Sequence, residues 1–240
     1  MSRQYDAFYF HRFPGGDEEI KAGRSWLDRE AAVRRLLPVA IGPTRSHFER
    51  GGPLTAFTNK VRCETVKSFT TSDKSRDMAI LAVWPDKTLL GRIDTPTRVK
   101  VVCVIPAAEA DIRVWRDARG AVDLLGLAPP GQVPTLHPVV EAALHTLVDL
   151  YSSLIHPSDK ERAIEIFEAL EREGGEDCSW VSDDVEAWIW AHGWSASEAE
   201  DVREIADGVK AGRRFRHHGR VLREDIVDLW RGEAEGMTTE

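Results

Sequence analysis

Residues 97–105, TRVKVVCVI, and residues 78–84, MAILAVW, are the most strand-like stretches of the chain. Both are rich in β-branched side chains, which favour extended backbone, and Pro-containing pairs separate them. ADIRVW (110–115) and AVDLLGL (121–127) continue the pattern on either side of a predicted hairpin turn at Asp117-Ala-Arg-Gly120. Together these four runs predict a mainly antiparallel β-meander.

The rest of the N-terminal region adds less regular structure to this sheet. YDAFYF (5–10) predicts a strand, and SWLDREAAVRRLL (25–37) predicts a helix near residues 26–37, because Ser25 and Asp28 resemble a capping box. Residues 40–75 carry no pattern that favours one element. The region is therefore predicted as a mixed region with one or two helices.

A proline-rich stretch, LAPPGQVPTLHP (127–138), marks the boundary between two parts of the chain. Four prolines in twelve residues remove too many donors for a helix or a central strand. We predict an α+β domain over residues 1–128, a linker over 129–136, a helical domain over 137–232 and a frayed tail over 233–240.

Helical signals dominate the chain after this boundary. The apolar row that starts at Val140 follows the 3.6-residue period, and Thr135 or His137 with Pro138 can start that helix. Ser195 with Glu198 forms a capping box, and glycines stand where helices should stop. The pattern predicts a C-terminal all-α bundle of four or five short helices, which makes the fold class α+β.

Composition narrows the class of protein. With 42% hydrophobic and 30% charged residues and a net charge of -8, the chain is typical of a soluble globular protein. No apolar run approaches the roughly 18 residues of a membrane helix, and the N-terminus lacks a signal sequence. The three cysteines form no C-x-x-C pair. We therefore expect a cytoplasmic protein that uses no cofactor and does not bind membranes.

The segment KAGRRFRHHGRVLR, residues 210–223, is the strongest candidate for binding an anion, and we call it the cationic segment. Residues 208–223 carry six basic and no acidic side chains, whereas residues 163–207 carry 14 acidic and 2 basic ones. Pairing with this acidic stretch is the favoured interpretation, and contact with nucleic acid or an acidic protein is the alternative. The contact residues would be Arg213, Arg214, Arg216, His217, His218 and Arg220.

Two further groups of residues have a structural and a functional interpretation. Trp190 lies about 200° around its helix from Trp188, so Trp190 and Trp194 either pack between two layers or contact a partner. Glu141, His145 and Asp149 recur every four residues and could ligate a divalent ion. That row lies opposite the apolar row, so a solvated stripe is favoured and no metal is expected.

Three hypotheses for function follow from these observations. The first is a non-enzymatic accessory or regulatory protein whose helical domain binds another macromolecule. The expected partner is a protein. The second is a nucleic-acid-associated protein that uses residues 210–223. The third is an enzyme of hydrolase or nuclease type with a site near His145 or Arg50. Hydrolase, P-loop and dinucleotide motifs are absent from the sequence, so the residues of such a site would have to be brought together by the fold.

Overall fold

The computed structural model describes residues 5–49, 51–57, 61–69, 76–94, 98–149, 157–173, 175–216 and 222–237. The chain divides into two compact units, Met1–Gln132 and Val133–Glu240. We call them the sheet unit and the helical unit.

A single six-stranded sheet forms the centre of the sheet unit. Every pairing is parallel, and the strand order across the sheet is β3-β2-β4-β5-β1-β6. The central strands are buried on both faces, and all six residues of β4 are buried. The strands are β1 (Asp6–Tyr9), β2 (Leu37–Gly42), β3 (Arg62–Thr65), β4 (Met78–Val83), β5 (Val99–Ile105) and β6 (Val122–Asp123).

Helices cover the sheet because parallel strands must be joined by crossovers. The α-helices of this unit are α1 (Asp17–Arg34), α2 (Lys87–Asp94) and α3 (Arg113–Arg119), and two 3-10 helices span Arg45–Phe48 and Thr55–Phe57. One core cluster joins α1 and both 3-10 helices to β4 and β5, through residues such as Leu27, Phe57 and Leu81. Right-handed crossovers place α2 and α3 on the opposite face, since their connections run in the opposite direction across the sheet.

The predicted fold class, with an antiparallel β-meander and a C-terminal all-α bundle, is wrong: the chain has an all-parallel sheet and, within the described residues, eight α-helices, an α/β fold. ADIRVW lies at the start of α3 rather than in a strand, and the predicted hairpin turn is the end of that helix. Gly120 ends α3 in the left-handed conformation at φ 58°. A helix end and a hairpin turn both use such a glycine, so the local sequence does not separate them.

The predicted first helix also begins at the wrong residue. α1 starts at Asp17, and the Glu19 carboxylate accepts a hydrogen bond from the Gly16 amide at 2.8 Å. Ser25, predicted near the start, lies inside the helix, where its hydroxyl donates to the Lys21 carbonyl. The strand β2 begins at Leu37, where the helix was predicted to end.

The described secondary structure of the helical unit consists of helices. They are α4 (Pro138–Val148), α5 (Pro157–Glu173), a 3-10 helix (Gly175–Cys178), α6 (Ser182–Ala191), α7 (Ala196–Lys210) and α8 (Ile226–Met237). The capping box of Ser195 and Glu198 is confirmed, and the His137 side chain caps α4 as predicted. None of the described helices combines the length and the apolar composition that a membrane crossing requires.

Candidate functional site

The cationic segment leaves α7 through a glycine that allows a sharp turn. Gly212 adopts φ 69°, and the Arg213 amide donates to the Gly208 carbonyl at 2.8 Å. Phe215 then folds back onto the helix. Its ring lies so close to Gly208 that a Cβ on this glycine would be only 2.7 Å from the ring. Gly208 therefore provides the space in which the start of the segment is anchored.

Gly208 was not predicted as part of the site. The signal was present, since an isolated glycine inside a helical pattern usually has a packing reason. The Arg213 guanidinium lies 4.9 Å from the centre of the Phe215 ring, in a cation–π contact. The aromatic residue within the basic run thus holds one arginine against the helical unit.

Several acidic side chains that precede the segment are paired with other cations. Arg203 contacts Asp207 at 3.1 Å and the buried Glu186 at 3.0 Å, and Lys160 contacts Asp201 at 3.2 Å. Lys210 donates to the Trp180 carbonyl, and its ammonium lies 5.0 Å from the centre of the Trp180 ring.

The arginines at the start of the segment remain exposed to solvent. Within the part of the chain that the structure describes, Arg213, Arg214 and Arg216 form no ion pair, and all three are exposed. The favoured interpretation, neutralisation by the acidic helices, is therefore not observed for these three residues. His217, His218 and Arg220 lie outside the described residues.

After residues 217–221 the chain returns to the surface of α5. The Leu222 amide donates to the Glu165 carboxylate at 2.7 Å, and Arg223 pairs with Asp225 at 2.7 Å. A cleft of about 350 Å³ lies here, between α5 and the start of α8, lined partly by acidic side chains such as Glu168. The last arginine of the segment is therefore paired, in contrast to Arg214 and Arg216.

Trp190 and Trp194 lie inside the helical unit. Their exposed fractions are 0% and 3%, so both rings pack within the single chain. Trp188, which lies on α6 with Trp190, is also buried and stacks on His192 with ring centres 3.6 Å apart. Contact of Trp190 or Trp194 with a partner stays a prediction, and the burial of both rings gives it no support.

The row of Glu141, His145 and Asp149 runs along α4 as expected. His145 Nδ1 lies 3.5 Å from the Asp149 carboxylate, and its ring packs edge-on against Trp188 at 5.1 Å. No group of three or more metal-ligating side chains is suitably arranged anywhere in the described residues. The alternative metal site at these three residues therefore has no geometric support.

Neither Cys63 nor Cys103 has the lowered pKa of an activated nucleophile. Burial raises the pKa of Cys63, and the positive charge of Arg24 offsets this only in part. Burial raises the pKa of Cys103 well above its ordinary value. A raised pKa keeps these thiols protonated, whereas a nucleophile requires the thiolate. Arg50, considered for an enzyme site, lies outside the described residues.

Comparison with known proteins gives one match, and it falls in the helical unit. Residues 136–231 are similar to the family described as "Domain of unknown function (DUF1889)". No curated protein and no solved structure matches the chain. The match includes α4 to α7, the first half of α8 and the whole cationic segment.

Proposed function

We propose that this chain is a non-enzymatic accessory protein whose helical unit binds nucleic acid through the cationic segment. The observation that carries the proposal is that Arg213, Arg214 and Arg216 are exposed and form no ion pair with the described residues. Phosphates supply most of the affinity in non-specific nucleic-acid binding, and exposed arginines are suited to contact them.

The surrounding acidic side chains favour contact at this segment rather than over the whole unit. Residues 163–207 carry 14 acidic side chains, which repel phosphates, so within the described part of the helical unit Arg213, Arg214 and Arg216 offer phosphates a more favourable surface than these acidic helices do. Gly208 and Phe215 hold the start of the segment against α7, which reduces the entropy lost on binding. We expect weak affinity without sequence preference, because each described helix of the helical unit carries more acidic than basic side chains and is unsuited to enter a groove.

Fluorescence anisotropy across a salt series tests this proposal with a short duplex and a single-stranded oligonucleotide. If three cations meet phosphates, the log-log slope against salt should be about -2.7 on duplex DNA and about -2 on a single strand. The variant Arg213→Ala/Arg214→Ala/Arg216→Ala should lose most of the binding. The control variant Lys160→Ala/Arg231→Ala removes exposed but ion-paired cations and should bind as the wild type does.

Two outcomes would contradict the proposal. One is the absence of binding at low salt, and the other is equal binding by the wild type and the triple variant. Affinity capture from lysate with and without nuclease then tests the remaining hypothesis, a protein partner. An acidic protein recovered after nuclease treatment and lost with the triple variant would support that hypothesis instead.

A further inference from the structure

The order of the strands predicts a crevice in the sheet unit, at the carboxyl ends of β2 and β4. These strands are neighbours, yet the chain leaving β2 runs to β3 at the sheet edge, and the chain leaving β4 runs to β5 on the other side. The two connections therefore diverge. In open parallel sheets, ligands bind where adjacent connections diverge in this way.

Polar side chains from the β2 connection gather at this crevice. The Thr44 hydroxyl lies 2.7 Å from His47 Nδ1 and 2.8 Å from the Ser46 hydroxyl. Thr44, Arg45 and Ser46 are exposed, and Arg45 forms no ion pair with the described residues. Gly42 lets the connection pack closely, because a Cβ there would lie 2.9 Å from the Phe48 ring. Hydroxyls and an available guanidinium are groups that suit a phosphate.

Trp84 brings an aromatic ring from the β4 connection to the same place. Its ring centre lies 5.6 Å from that of His47, and its indole N–H donates to the Gly15 carbonyl at 2.9 Å. The residue adopts φ 49°, which a bulky side chain rarely does. Backbone held in such a conformation concentrates at ligand sites. The half-exposed ring can stack on a planar group.

The start of α1, next to this cluster, is not itself available to an anion. At the start of α1, Glu19 accepts hydrogen bonds from the Gly16 amide and from Arg12. Burial raises the pKa of Glu19, but these hydrogen bonds outweigh it, and the net pKa lies below the ordinary value. A carboxylate of the chain therefore occupies the position that a phosphate would need at this helix.

We propose that the sheet unit binds a mononucleotide in the crevice between β2 and β4, with its phosphate at Thr44, Arg45 and Ser46 and its base against Trp84. The observed chemistry suits both parts of the ligand. The exposed hydroxyls and Arg45 account for an anion, and Trp84 accounts for a planar ring. This site is separate in the chain from the cationic segment, so either proposal can fail without the other.

Isothermal titration of the full chain with AMP, GMP, adenosine and ribose 5-phosphate tests the site. At least one of AMP and GMP should bind more tightly than adenosine and ribose 5-phosphate, by about tenfold or more, because one charge-assisted hydrogen bond can supply such a difference. Inorganic phosphate reports any site that takes only the anion. If no mononucleotide binds at millimolar concentration, or if neither binds more tightly than the two fragments, the proposal is wrong.

Variants then locate the binding. Arg45→Ala should weaken nucleotide and ribose 5-phosphate binding together, with Arg29→Ala as an exposed control on α1. Trp84→Gly suits the left-handed backbone and should weaken nucleotide and adenosine binding but leave ribose 5-phosphate binding unchanged. Arg214→Ala/Arg216→Ala should change neither. Nucleotide binding that survives Arg45→Ala and Trp84→Gly, or that disappears with Arg214→Ala/Arg216→Ala, overturns the proposal.

Discussion

The sheet unit and the helical unit build their cores from different side chains. The central strands of the sheet unit are filled with Val, Ile, Leu and Ala, and β4 and β5 are almost completely buried. The helical unit instead buries five of the eight tryptophans of the chain: Trp180, Trp188, Trp190, Trp194 and Trp230. A large ring buries more area for each residue that is ordered, which helps a smaller unit to reach stability.

The two units also differ in backbone strain. Among the described residues, the helical unit uses positive φ angles only at glycines, whereas the sheet unit places Arg35 and Trp84 there. Each such residue costs about 1–2 kcal/mol relative to an ordinary conformation. The sheet unit therefore holds its two strained residues next to interior strands, just before β2 and just after β4.

The largest effect should come from the aromatic core. Trp190→Ala removes a ring with 0% exposure and should lower the free energy of unfolding of the helical unit by roughly 3–5 kcal/mol. Urea denaturation followed by circular dichroism measures this. Val181→Ala, at an exposed position before α6, is the control and should change the stability little. A stable, monomeric Trp190→Ala protein would show that the ring serves a partner rather than the core.

The difference between the units also explains how far the sequence could predict the fold. The strands β4 and β5 were recognisable because their β-branched runs are local signals, but the direction of pairing depends on connections made elsewhere. One neglected signal was that MAILAV shows no polar alternation, which is typical of parallel strands covered on both faces. Antiparallel strands with one face exposed to solvent would have shown alternating apolar and polar residues.

The candidate sites show the same limit. Arg213, Arg214 and Arg216 stand together in the sequence, so the density of positive charge was visible there. Their lack of ion pairs was not, because it depends on Arg203 and Lys160 occupying the neighbouring carboxylates in the folded chain. The residues of the β2–β4 crevice could not be grouped from sequence. His47 and Trp84 meet only because β2 and β4 pair side by side. Residues 40–75, where no element was predicted, contain all of that cluster except Trp84.

A smaller effect should come from the carboxylate that organises the end of β1. Asp123 is buried, and it accepts hydrogen bonds from the amides of His11, Leu125, Leu127 and Ala128. Burial raises its pKa, but these four donors outweigh burial, so the net pKa is lowered. Asp123→Asn keeps the shape and loses the charge, and we expect a loss of about 1–2 kcal/mol at neutral pH.

This loss should depend on pH. Because the pKa of Asp123 is lower in the folded state, its stabilisation is fully present above the unfolded pKa of about 3.9 and disappears as the pH falls through the folded value. The stability difference between the wild type and Asp123→Asn should therefore be constant near neutrality and shrink below about pH 4. Chemical denaturation at several pH values measures it. A difference that does not change with pH would mean that the charge contributes nothing.

The smallest effect concerns the strained backbone at the end of α1, and it should have the opposite sign. Arg35 adopts φ 56° and ψ 41°, which glycine adopts without steric cost, and its exposed side chain forms no ion pair with the described residues. Relief of about 1–2 kcal/mol of strain is partly offset by the greater freedom of glycine in the unfolded chain, about 0.5–1 kcal/mol. Arg35→Gly should therefore raise the stability by up to about 1.5 kcal/mol. The matched control, Arg29→Gly inside α1, should lower it by about 1 kcal/mol, since the backbone there is helical. Thermal unfolding of the two variants distinguishes these signs, and destabilisation by Arg35→Gly would mean that the arginine side chain itself stabilises the helix end.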